Sequence, residues 1–221
     1  DSVLHLQSNY TTAEIESIDA VNVDLEIESG GVLDNRGDEF ELSAGGYAIL
    51  LDGGTIDGGV ISSRDETRFT STVNDGTLRG VTLDADGLIT TRSIVRVLDG
   101  LTVNGLLRIE RTENTSSNDR DAGLDFTGGR QTLGGSGSVE LFSNLTFSHQ
   151  DSDIRLRPTA DGELTIGANL TVRTAAGSTI VTVGNPARPL RIEGRIETPE
   201  SGGTLRLRGS SVTNAGQIRA G

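Results

Sequence analysis

Carboxylates two residues apart recur along this chain, as Asp84/Asp86, Asp119/Asp121 and Asp151/Asp153. Alternate residues on a strand share a face, so each pair could hold two carboxyl groups about 7 Å apart. A polysaccharide hydrolase needs such a pair across a sugar-binding cleft. Asp is also a favoured turn former, and solvated turns account for the same residues. A sugar-cleaving site further needs aromatic platforms, and the chain offers only Tyr10, Tyr47 and five phenylalanines. The turn reading is preferred and the chain is expected to be non-catalytic, with a polysaccharide lyase or hydrolase as the alternative.

Other chemistry is thinner still. In "NDRDAGLD", Asp119, Asp121 and Asp125 fall at alternating offsets around Gly123, the oxygen ligands and glycine bend that Ca2+ takes. The EF-hand glutamate is missing, so a disordered acidic loop is the preferred reading of the segment, with Ca2+ at 119–125 as the alternative. Arg36-Gly37-Asp38 spells an integrin-type tripeptide, which arises readily in a chain rich in Gly, Asp and Arg. His5 and His149 lie far apart, without a Cys or an H-x-x-H partner, so no metal site is assigned. The glycine runs lack Gly-Lys-Ser/Thr and open no helix, which removes phosphate binding. Sequons occur at Asn9, Asn114, Asn144 and Asn169. Asn144 and Asn169 share "NLT" and are expected to be one turn asparagine repeated a circuit apart. No catalytic, cofactor or metal residue is assigned.

Composition bounds what can position these groups. Of 221 residues, 33% are hydrophobic and only 3% aromatic; Cys, Met, Trp and Lys are absent. Any core must be thin and built from Leu, Ile and Val. Without Cys there is no disulfide framework and no thiolate site. Without an initiating Met, Asp1 is expected to be the start of a processed or excised piece. No apolar run approaches the roughly 20 residues of a membrane-spanning helix. The net charge of −13 argues against nucleic acid, which requires a basic stripe. Residues 1–66 carry 15 acids and 2 arginines, the remainder is balanced, and residues 155–221 hold 9 arginines against 5 acids.

The elements are strands. In "VNVDLEIE", Val21, Val23, Leu25 and Ile27 alternate with polar residues, giving one buried and one wet face. The pattern returns at Leu107/Ile109, Leu164/Ile166, Leu170/Val172, Leu190/Ile192 and Leu205/Leu207. Gly, Asn and Asp separate these runs, and no window carries helical periodicity. The glycine phrases beginning at Gly31, Gly54, Gly76 and Gly100 start 22 to 24 residues apart. A period of this size built from short strands predicts an all-β parallel β-helix (β-solenoid). About eight or nine circuits of ~23 residues would stand roughly 40 Å tall. One domain spanning 1–221 is expected, with a polar loop ejected around 110–123 and a corner at "NPARP".

"FTGGRQTLGGSGSVELFSN", "GELTIGANLTVR" and "GGTLRLRGSSVTNAGQIRAG" resemble the glycine-rich repeats of large secreted bacterial surface proteins. These are the autotransporter passengers and filamentous-haemagglutinin-like adhesins. The resemblance implies an extracellular or cell-surface protein with a structural or adhesive role. A solenoid also has two ends, and no capping helix is evident at either. Head-to-tail stacking with copies of itself or with neighbouring repeats is therefore expected, as a filament subunit or a segment of a longer fibre. A glycan-binding adhesin segment is the alternative, with surface glycans as partners.

Overall fold

A strand of three to six residues can bury its apolar side only against further layers like itself. The computed structural model shows the chain winding to provide those layers. It describes residues 2–18, 21–112, 121–144, 154–159, 162–199 and 204–221. The strands form one continuous parallel sheet wrapped into three faces. The first face starts with Ser2–Leu6, Val23–Glu28 and Tyr47–Asp52 and ends with Arg195–Thr198 and Gln217–Ala220. The second runs from Asn9–Thr11 through Val32–Asp34 and Thr55–Asp57 to Thr204–Gly209. The third runs from Glu39–Leu42 and Val60–Ser63 to Val212–Asn214. Two long strands, Gly76–Asp84 and Ile94–Val103, bend around a corner and serve the second and third faces in turn.

Register is set by the inward side chains. Leu6, Ile27, Leu51, Ser71, Ile89, Ile109, Leu141 and Thr174 lie one above another. A one-residue slip would turn such a column out to solvent, which pins each circuit to the next. The interior is mainly Leu, Ile and Val, yet Phe40, Phe69 and Phe126 are also fully buried. Space for a ring comes from its neighbours: Phe69 stacks on Gly87, where a Cβ would lie 2.8 Å from the Leu107 side chain.

The glycine period is correct for three of its four members. Gly31, Gly54 and Gly76 share one corner, where Thr55 N donates to Gly31 O at 3.0 Å and Thr77 N to Gly54 O at 2.9 Å. Gly100 belongs to another corner. Val81 opposite Leu101 and Arg79 opposite Leu98 set it against Gly80, with Asp99 as an extra bulged residue. Gly58, Gly80 and Gly100 turn this second corner with φ of +74°, +58° and +84°, a region that an L side chain enters only with strain. Both corners recur once per circuit, so spacing alone could not separate them.

The offset of 23 residues between circuits, as between Thr12 and Asn35, stretches later to 32 and 33. The apolar register survives this lengthening. Strands reach further into the polar segment around 110–123 than its composition suggests. Leu106–Arg111 and Ala122–Phe126 both invade it, and 113–120 fall outside the described residues. At the other extreme, Val21 is 67% exposed and Asn22 has φ of +55°, so the strand begins only at Val23.

One helix occurs among the described residues, Thr12–Glu16, in the place a third-face strand would take in the first circuit. It corrects the expectation that neither end carries a capping helix. Thr11 and Glu14 form a reciprocal capping box, and Ile15 is buried at 1% exposure. The Tyr47 hydroxyl donates to Ile15 O at 3.0 Å and to Ile18 O at 3.2 Å. Five residues with a single buried apolar side chain display no periodicity. The legible signal was Thr-x-x-Glu.

Candidate functional site

Outward positions on a parallel stack repeat at the strand spacing, about 4.8 Å, so polar side chains form vertical rows. On the first face Glu140 sits between two arginines, 2.7 Å from Arg108 and 3.1 Å from Arg173. Arg108 also meets Glu110 at 2.8 Å and lies 5.0 Å from the Phe142 ring centroid. On the second face Asp125 receives Arg157 at 3.1 Å, while Arg155 reaches Asp121 at 2.7 Å and Asp125 at 3.6 Å. Lower on that face Arg36 grips Asp34 at 2.6 Å, and Arg36 and Arg79 flank Asp57 at 3.8 and 3.6 Å. The two hydrogen bonds from Arg36 hold the Asp34 carboxyl down to about 2, and the same contact raises the Arg36 guanidinium further.

These rows decide what the sequence candidates can do. Asp84 accepts from the Asn104 carboxamide, and Asp86 accepts from Leu106 N at 2.9 Å. Both carboxylates hold a corner, with buried Ala85 between them. Asp121 and Asp125 do come together, but around Arg155, a fixed cation where Ca2+ would need to sit. Asp119, Asp151, Asp153, Asn114 and His149 lie outside the described residues. In Arg36-Gly37-Asp38 the arginine is turned back onto Asp34, and Asp38 N closes a turn on Asn35 O at 3.0 Å.

The sequons diverge. Asn9 is on a terminal strand, and the Thr11 of its sequon is the helix N-cap. Ser138 opposite Thr171 sets Asn169 level with Ser136, whereas Asn144 follows Ser143 at a different corner. The two "NLT" phrases are therefore not one repeated position, because the intervening circuit is longer than their separation. What Asn169 stacks over is Ser136, and Asn104 lies one circuit beyond, where its Oδ1 accepts from Ser136 N at 3.1 Å.

Two arrangements escaped sequence reasoning. Buried Asn35 accepts from Thr12 Oγ1 at 2.6 Å and donates to Val60 O at 2.9 Å, tying three successive circuits inside the stack. His5 meets Glu26 and Glu28, supplied by the neighbouring circuit rather than by a local motif. A second-face groove is lined by the polar Asn74, Arg96, Asp125 and Arg155 together with the apolar Ile94 and Leu98. Among the described residues no helix is long and apolar enough to cross a membrane. Comparison with family models, with curated proteins and with solved structures finds no match for this chain.

Proposed function

We propose that this chain is a structural segment of an extracellular β-solenoid fibre, extended by stacking at its ends. The carrying observation is the last circuit. Among the described residues, Thr204–Gly209, Val212–Asn214 and Gln217–Ala220 each pair on one side only, and Val212 and Ile218 are 44% and 47% exposed. A free strand edge over an apolar column is a template for another strand. At the opposite end Ser2–Leu6 and Asn9–Thr11 likewise pair on one side only among the described residues, with Tyr10 at 38% exposure. The helix Thr12–Glu16 stands where the third would be, so a head-to-tail joint would be carried by the first and second faces.

Charge supports the same direction: the first 66 residues hold the acid excess, and Arg206, Arg208 and Arg219 lie in the last circuit. A head-to-tail contact that does not close yields an open fibre. The resemblance to secreted bacterial surface repeats favours an exported location. Electron microscopy of the purified chain over a concentration series tests the filament form. Fibres that vanish in Ile218→Glu support it, and short single particles at every concentration refute it.

The groove at Asn74, Arg96 and Arg155 favours a second reading, a glycan-binding adhesin segment, because its border offers hydrogen-bond donors and acceptors together. A glycan array with Arg96→Ala as the control tests that reading. Binding indifferent to the substitution removes the groove from it.

A further inference from the structure

We infer that His5, Glu26 and Glu28 form a surface site for a divalent transition-metal ion, of which Zn2+ is the natural probe. The three side chains come from two adjacent strands of the first face. His5 is directly opposite Glu26 in the parallel register, and Glu28 is two residues further along on the same outward side. Their ligand atoms all lie within 4.8 Å of one another. A single nitrogen, His5 Nδ1, stands 2.7 Å from a Glu28 oxygen and 3.0 Å from a Glu26 oxygen. It has only one proton or one lone pair to direct, so one small cation serves both carboxylates better than one N–H does.

The geometry suits that exchange. Ligands about 2.1 Å from a tetrahedral ion are about 3.4 Å apart, so the site closes on an ion once its ligand atoms spread by roughly half an ångström. One imidazole with two carboxylates suits Zn2+ and its neighbours, with water completing the coordination. Gln7 donates through its carboxamide to the other oxygen of Glu28, an outer contact that orients a ligating carboxylate. The glutamates are largely shielded, with side-chain exposures of 23% and 26%, while His5 is half exposed and leaves a path for entry. The surrounding residues carry the acid excess of the chain, which raises the local cation concentration. Binding would clamp the first circuit to the second, since Ser2–Leu6 pairs with Val23–Glu28 and with no other strand among the described residues.

Isothermal titration of the intact chain with Zn2+, in a buffer that does not chelate it, tests the site. The expected result is one equivalent bound, and a thermal midpoint that rises with Zn2+ and returns on adding EDTA. His5→Ala and Glu28→Gln should each weaken binding at least tenfold, and Gln7→Ala by roughly tenfold. His149→Ala, changing the only other histidine, should leave binding unaltered. Circular dichroism identifies any variant that fails to fold, in which case Glu26→Gln takes its place. Absence of Zn2+ binding, or binding unchanged by His5→Ala and Glu28→Gln, overturns the assignment.

Discussion

Replacing Asn35 by alanine should loosen three circuits at once. The side chain is wholly buried, and it links Thr12 in the first circuit to Val60 in the third. The bonds at 2.6 and 2.9 Å are well formed, whereas the 3.4 Å approach to Gly58 O adds little. Each good bond contributes about 1 kcal/mol, and stranding the buried Thr12 hydroxyl costs about 1–3 kcal/mol more. The expected loss is about 3 kcal/mol, or about 6–12 °C in Tm for a chain of this length. Thr12→Val removes the hydroxyl while keeping the shape, and should cost about half as much. The double variant should fall short of additivity by about 1 kcal/mol, because both changes break one shared bond. Urea unfolding followed by circular dichroism gives the energies, and amide exchange locates the loosening in the first three circuits. A Tm within about 1 °C of the parent, with unchanged exchange there, would refute the claim that Asn35 ties the circuits together.

Three further outcomes are expected. The Asp34 carboxyl titrates at about 2 instead of its ordinary 3.8, and carboxyl-detected NMR should show this. Because the folded value is the lower one, the contribution of Asp34 to stability is complete above the ordinary value and is lost as pH falls through about 2. Arg36→Ala should return the midpoint toward 3.8. Glu140→Gln removes the carboxylate shared by Arg108 and Arg173, and should cost about 1 kcal/mol in low salt and less in high salt, by chemical denaturation at two ionic strengths. Gly59→Ala would force a residue with φ of +69° to carry a Cβ 1.9 Å from Asn35 O, and should cost about 3 kcal/mol or more. Gly45→Ala, with no atom within 4 Å and no positive φ, serves as its neutral control in the same melts.

The architecture was legible because a solenoid writes its period into the chain. Alternation at Leu25/Ile27 and Leu107/Ile109 identified inward positions, and Gly31, Gly54 and Gly76 marked one corner per circuit. What failed were statements about which corner stacks on which. Gly100 and the paired "NLT" phrases were aligned by linear distance, but circuits of unequal length shift that alignment by a whole corner. The polar contacts were the least legible part. Partners such as His5 and Glu26, or Arg108 and Glu140, are distant in sequence and meet only after register is established. Their spacing matches no local motif because each depends on the length of the particular circuit between them. Asn35 was hidden for another reason: beside Gly37 and Asp38 it looks like any turn asparagine, and only burial distinguishes it.

The parallel ladders also have a mechanical meaning. Hydrogen bonds between circuits point along the axis of the stack, so tension applied between its ends loads one boundary at a time instead of shearing a whole sheet. Such a column should pay out in steps of one circuit, each releasing its own length of chain, with the 32- and 33-residue circuits giving the longest extensions. At the N-terminal end, the Tyr47 bonds to the helix and the Thr12–Asn35 bond would have to break before the first step could begin. The molecule would therefore behave as a graded tether, stiff in compression and yielding by increments in tension, with a latch at one end.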